Sequence, residues 1–63
     1  MDKQLFKAEV KKELFLHKWS YIDLSERTGY TPNTIKQMMY DDTRLSPGAM
    51  EKIGEVLGIN TEA

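Results

Sequence analysis

At 63 residues the chain lies near the lower limit for folding without staples, and with no cysteine it has neither disulfides nor thiolate metal sites. Its apolar runs are only a few residues long, which excludes a transmembrane span, and no signal-peptide pattern opens it, so one cytoplasmic domain (1–63) held by helix packing is expected. Nine Lys and Arg against ten Asp and Glu give a formal net charge of −1. DNA-binding domains are usually basic, so the distribution of charge has to be read.

Residues 3–17 place Leu5, Phe6, Val10, Leu14 and His17 at three- and four-residue spacings, the stripe of an amphipathic helix. Trp19 bridges to a second helix over about 20–28, with Ser20 as N-cap and Asp23 completing an S-x-x-D capping pattern. Leu24 anchors that helix inward, and Ser25 is small enough to let another helix approach. Gly29 ends it in a left-handed conformation that costs a residue with a side chain about 1–2 kcal/mol. Thr31 and Pro32 restart a helix at once, one as N-cap and the other where a missing N–H does no harm. This third helix, about 32–40, turns Ile35 and Met38 back toward Leu24. Residues 20–40 therefore spell a helix-turn-helix, and a helix so presented fits the major groove of DNA.

Residues 41–45 read as a loop. Ser46 and Pro47 repeat the cap-plus-proline start, Ala49, Met50, Ile53, Val56 and Leu57 form the last stripe, and Gly58 closes it. There is no repeat, low-complexity segment or strand signal. The predicted fold is all-α, four to five helices around Val10, Leu14, Trp19, Leu24, Ile35, Met38, Leu45, Met50, Ile53 and Leu57.

Charge is unevenly placed. Lys3, Lys7, Lys11, Lys12 and Lys18 lie in the first third, with Lys36 and Arg44 around the third helix. Glu51, Glu55 and Glu62 lie elsewhere, but Asp41 and Asp42 follow the third helix directly and should weaken a phosphate contact there.

The string Trp19-Ser20-Tyr21-x-x-Leu24-Ser25-x-x-x-Gly29-Tyr30-Thr31-x-x-Thr34-Ile35 resembles the lambda-repressor-like domain of phage Cro and repressor proteins, and Gly58-Ile59 matches the usual close of its fourth helix. The resemblance covers nearly the whole chain. It implies operator DNA binding, commonly as a dimer on palindromic sites. Three departures stand out. Tyr21 opens the second helix where the family usually has a glutamine that contacts phosphate or base. Leu14 and Met39 fall where many members pair a buried Arg with a Glu, an exchange that packed hydrophobes tolerate well. The sequence ends at Ala63, before the helix or tail that commonly builds the dimer, so a monomer or weak homodimer is expected.

Helix geometry selects the DNA-reading candidates. With Ile35, Met38 and partly Met39 inward, Pro32, Asn33, Lys36, Gln37 and Tyr40 share an outward face. Asn33 and Gln37 can offer a donor and an acceptor together to adenine, and Lys36 suits a guanine edge or a phosphate. Ser20 and Tyr21 present free amides to a phosphate, Thr31 and Pro32 open the reading helix, and Thr43 and Arg44 can grip the backbone beyond it. Without the turn motif these side chains would read as a solvated helix face.

His17, the only histidine, has no partner at ligand spacing, and no cofactor or metal is expected. So small a chain offers little concavity for catalysis, which makes an enzyme the most distant reading. Tyr21, Tyr30 and Tyr40 can contact a nucleic-acid backbone, with Tyr30 half-buried at the turn. Phe15, Leu16 and Ile22 form either an exposed apolar patch or an enlargement of the core. Two functions result. One is a phage-type regulator of the Cro kind that reads operator DNA with the third helix. The other is an antirepressor or modulator that binds a phage repressor protein through Asp41, Asp42 and the Ile22/Leu16 surface.

Overall fold

Every helix begins at a residue whose side chain accepts the first unpaired amide. The computed structural model describes residues 2–61, and in them α1 (Lys3–His17), α2 (Tyr21–Thr28), α3 (Pro32–Tyr40) and α4 (Pro47–Leu57) follow Asp2, Ser20, Thr31 and Ser46. Thr31 Oγ1 accepts from the Thr34 amide and Ser46 Oγ from the Ala49 amide, both at 3.1 Å. Each such cap is worth about 1 kcal/mol. No strand occurs among the described residues, and none of their helices is long and apolar enough to cross a membrane.

The helix ends are equally legible, with one exception. Gly29 (φ 86°) and Gly58 (φ 74°) take the left-handed conformation expected of them. Lys18 does the same with a side chain, at φ 59°, and its turn lets the Trp19 amide donate back to the Leu14 carbonyl at 2.9 Å. This left-handed turn carries a steric cost of roughly 1 kcal/mol.

The core takes Phe6, Val10 and Leu14 from α1, Leu24 from α2, and Ile35, Met38 and Met39 from α3. Leu45, Ala49, Met50, Ile53 and Leu57 complete it. Helix α2 packs against both α3 and α4, and α1 packs against α4. The apolar exchange at Leu14 and Met39 is real in the fold, since both side chains are buried. Two expectations are corrected. Trp19 is only partly buried and packs beside the core, because His17 and Arg27 occupy its ring. Leu5 is exposed, because burial follows Phe6, Val10 and Leu14, spaced four apart, and Leu5 falls off that line.

The stretch read as a loop contains a 3₁₀ turn at Asp42–Arg44. Asp41 caps it, its Oδ1 accepting from the Thr43 amide at 3.0 Å and the Thr43 hydroxyl at 2.7 Å. Asp42 ties the turn to the start of α1. Its carbonyl accepts from Lys3 Nζ at 2.7 Å, its Oδ2 from Gln4 Nε2 at 2.9 Å, and its Oδ1 from Lys7 Nζ. Lys3 and Lys7 are thus engaged within the protein and add little to any phosphate-binding surface.

Candidate nucleic-acid interface

The turn between α2 and α3 is built from short-range chemistry. Ser20 and Asp23 form a reciprocal capping box, the Ser20 amide donating to Asp23 Oδ2 at 2.8 Å and the Asp23 amide to Ser20 Oγ at 3.4 Å. The Ser20 backbone bond holds the Asp23 carboxyl below its usual value of 3.8 against desolvation, with lesser help from the Ser20 hydroxyl and the nearby Arg27 charge. At the other end of α2 the buried Thr28 hydroxyl donates to the Leu24 carbonyl at 2.9 Å and accepts from the Tyr30 amide at 3.3 Å. The turn is therefore fixed by hydrogen bonds on both sides of Gly29, with Tyr30 half-buried as expected.

That frame sets one cleft between the starts of α2 and α3. It encloses about 390 Å³ and is lined by Ser20, Tyr21, Ile22, Pro32, Asn33 and Lys36. Five of these six were candidates from the sequence. Ile22 is the sixth, placed by the sequence only in an apolar patch, and its side chain stands 60% exposed in the cleft wall. The α2 start is less open than the sequence implied. The capping box takes the amides of Ser20 and Asp23, which leaves those of Tyr21 and Ile22 for an anion.

The exposed surface of α3 carries Asn33, Lys36, Gln37 and Tyr40 at helical spacings of three and four, while Ile35, Met38 and Met39 are buried. Such a stripe is the geometry by which a helix presents side chains to base edges in a groove about 12 Å wide. Thr31 and Tyr40 are exposed and line neither this cleft nor the neighbouring recess.

That recess, about 380 Å³, joins Gln37 and Arg44 with Tyr30, Thr34, Met38, Ser46 and Ala49. Arg44 Nη1 donates to Gln37 Oε1 at 2.9 Å, and Arg44 Nε lies 3.4 Å from Asp41 Oδ2. A guanidinium only donates, so in this arrangement the Gln37 oxygen faces Arg44 with a second lone pair still open, and Nε2 is turned away as a donor. Asp41 is turned inward on its own turn: Thr43 above all, then Arg44, holds its carboxyl below 3.8. Thr43 bonds to Asp41 through both its amide and its hydroxyl. The Arg44 link was missed in the sequence because it joins a helix to a turn seven residues away, a contact no periodicity encodes.

A family model described as helix-turn-helix matches residues 10–63. No curated protein and no solved structure matches the chain. The match spans the capped turn, both helices of the motif and the whole of α4. The chain belongs to the lambda-repressor-like helix-turn-helix family of DNA-binding transcription regulators.

Proposed function

We propose that the protein is a cytoplasmic, sequence-specific regulator of the phage Cro type that reads double-stranded operator DNA with α3. The observation that supports this best is the outward stripe Asn33, Lys36, Gln37 and Tyr40 on a helix whose start shares a cleft with the α2 start. In this reading α3 enters the major groove. Asn33 and the Nε2 donor of Gln37 meet base edges, and Lys36 meets a guanine edge or a phosphate. The Tyr21 and Ile22 amides, with the Ser20 cap behind them, approach one phosphate. Thr31 and Pro32 set the entry angle of α3. Tyr40, Thr43 and Arg44 hold the backbone beyond it, which requires Arg44 to exchange Asp41 for a phosphate oxygen.

The test is selection of binding sites from a random duplex pool, followed by salt titrations of the selected site. Gln37→Ala is expected to cost about 1–3 kcal/mol and relax preference at one base position. Arg44→Ala should weaken binding to all sequences and flatten the salt slope by about one unit. Equal, weak binding of selected and random duplexes at moderate salt would overturn the reading.

The exposure of Leu16 and Ile22, at 62% and 60%, favours a second reading, an antirepressor that docks on a phage repressor protein. A monomer or weak homodimer fits that reading better than a stable dimer. Its acidic component is weakened, because Asp41 and Asp42 already have cationic partners in their own chain. Titration of labelled protein with the DNA-binding domain of a phage repressor, in parallel with DNA, separates the two. Tight operator binding by a stable dimer, unchanged by repressor, eliminates the antirepressor.

A further inference from the structure

The outer face of α1 carries exposed apolar and basic side chains that the α3 reading stripe does not use. Phe15 is 82% exposed and Leu16 follows it, while Lys11, Lys12 and Lys18 lie three or four residues from Phe15. Burial of Phe6, Val10 and Leu14 on the opposite face explains why α1 is a helix, but it does not explain two large apolar side chains in water. A shallow recess of about 330 Å³ opens at the end of α1, lined by Lys11, Leu14, Trp19, Ser20 and Tyr21; Phe15 and Leu16 follow Leu14 in the chain but do not line it. Its Trp19 wall is held in place. His17 stacks on the indole with ring centres 4.5 Å apart, and the Arg27 guanidinium lies 4.0 Å from the ring centre. A shallow, mainly apolar recess whose Trp19 is already held by its neighbours can cover part of an apolar side chain without reordering.

The charge around this recess selects its occupant. Lys12 lies 3.4 Å from Glu9, but Lys11 and Lys18 have no carboxylate partner among the described residues. A second copy docked through the same face would set lysines against lysines, which disfavours self-association. A phosphate backbone would satisfy the lysines and leave Phe15 and Leu16 unexplained. We infer that this face of α1 is a docking site for an acidic peptide segment of another protein, with one apolar side chain entering the Leu14/Trp19/Tyr21 recess and carboxylates meeting Lys11 and Lys18. The α3 reading stripe takes no part in this recess, but Ser20 and Tyr21 border both it and the α2/α3 cleft, so the peptide and DNA would meet at the start of α2.

Trp19 is the only tryptophan, so its fluorescence reports directly on the recess. The probes are three glutamate-rich synthetic peptides with Leu, Phe or Trp as the single apolar residue, the last followed by anisotropy of a dye. Controls carry lysine in place of glutamate. At least one acidic peptide should bind saturably, and the lysine versions should not. Phe15→Ser and Lys11→Glu should each weaken binding about tenfold or more, as expected for loss of an apolar anchor or a charged pair. Both positions are exposed, and circular dichroism should confirm that the variants keep their helices. Operator or random-duplex binding should be unchanged by Phe15→Ser. The inference would be overturned by no saturable binding by any acidic peptide, by equal binding of the lysine controls, or by Lys11→Glu and Phe15→Ser weakening DNA binding instead of peptide binding. A dimer in sedimentation that Phe15→Ser dissolves would also overturn it, in favour of a second copy.

Discussion

Replacing Asp42 with alanine tests whether the 3₁₀ turn is held by α1 or merely rests beside it. The substitution removes the acceptors of Gln4 and Lys7 but leaves the backbone carbonyl that Lys3 uses. Hydrogen bonds to charged groups are worth about 1.5–3 kcal/mol when well shielded. The Lys7 side chain is only 14% exposed, but that of Asp42 is 39% exposed, so solvent screening discounts the pair heavily. The two contacts together should therefore contribute about 1–2 kcal/mol, a large part of the stability available to so small a core. For a chain of this size each kcal/mol moves the thermal midpoint by roughly 4–8 °C. Urea unfolding, followed by Trp19 fluorescence and helical circular dichroism, measures the loss. Asp42→Asn keeps acceptor and shape without the charge and should lose about half as much. A cycle with Lys7→Met isolates the pair, with an expected coupling near 1 kcal/mol. Additivity of Asp42→Ala and Lys7→Met within about 0.3 kcal/mol would refute the reasoning.

Leu24→Ala or Ile35→Ala, each at a fully buried site, should cost about 2–5 kcal/mol and leave the protein largely unfolded at room temperature; a cooperative transition near that of wild type would contradict the packing described. Lys18→Gly should raise stability, by about 1 kcal/mol at most, because glycine carries no penalty at φ 59°, and no rise in the urea midpoint would mean that the turn is unstrained. Asp23 and Asp41 have folded pKa values below the unfolded 3.8, so their contribution is complete above that value and is lost as pH falls through the folded ones. Ser20→Ala removes one Asp23 partner and Thr43→Val one Asp41 partner, so both variants should show a smaller loss of stability on acidification; acid transitions parallel to wild type would argue against these bonds.

Much of the fold was legible because it is written in local chemistry. Ser20 with Asp23, Thr31 with Pro32 and Ser46 with Pro47 each start a helix within four residues of sequence, and Gly29 and Gly58 end one. The buried faces followed from spacing alone at Val10, Leu14, Leu24, Ile35 and Ile53. What sequence could not supply were contacts between residues far apart. Asp42 was read as a liability for phosphate binding, whereas Lys3, Gln4 and Lys7, 35 to 39 residues away, engage it. Lys18 carries no signal for a left-handed turn, since that conformation normally selects glycine. In the candidate interface the outward stripe of α3 followed from helical period, but the orientation of the Gln37 amide depends on Arg44.

The Gln37–Arg44 bond also bears on how such a regulator changes its target. In a protein that reads DNA with α3, the atom that Gln37 offers to a base is chosen by a side chain outside the helix. A substitution at position 37 alone leaves Arg44 to Asp41 and solvent, and one at position 44 alone removes the partner that orients the amide. Neither single change produces a clean new preference. In such a reader, drift toward a different operator would run through a less discriminating intermediate, with positions 37 and 44 changing as one unit of recognition.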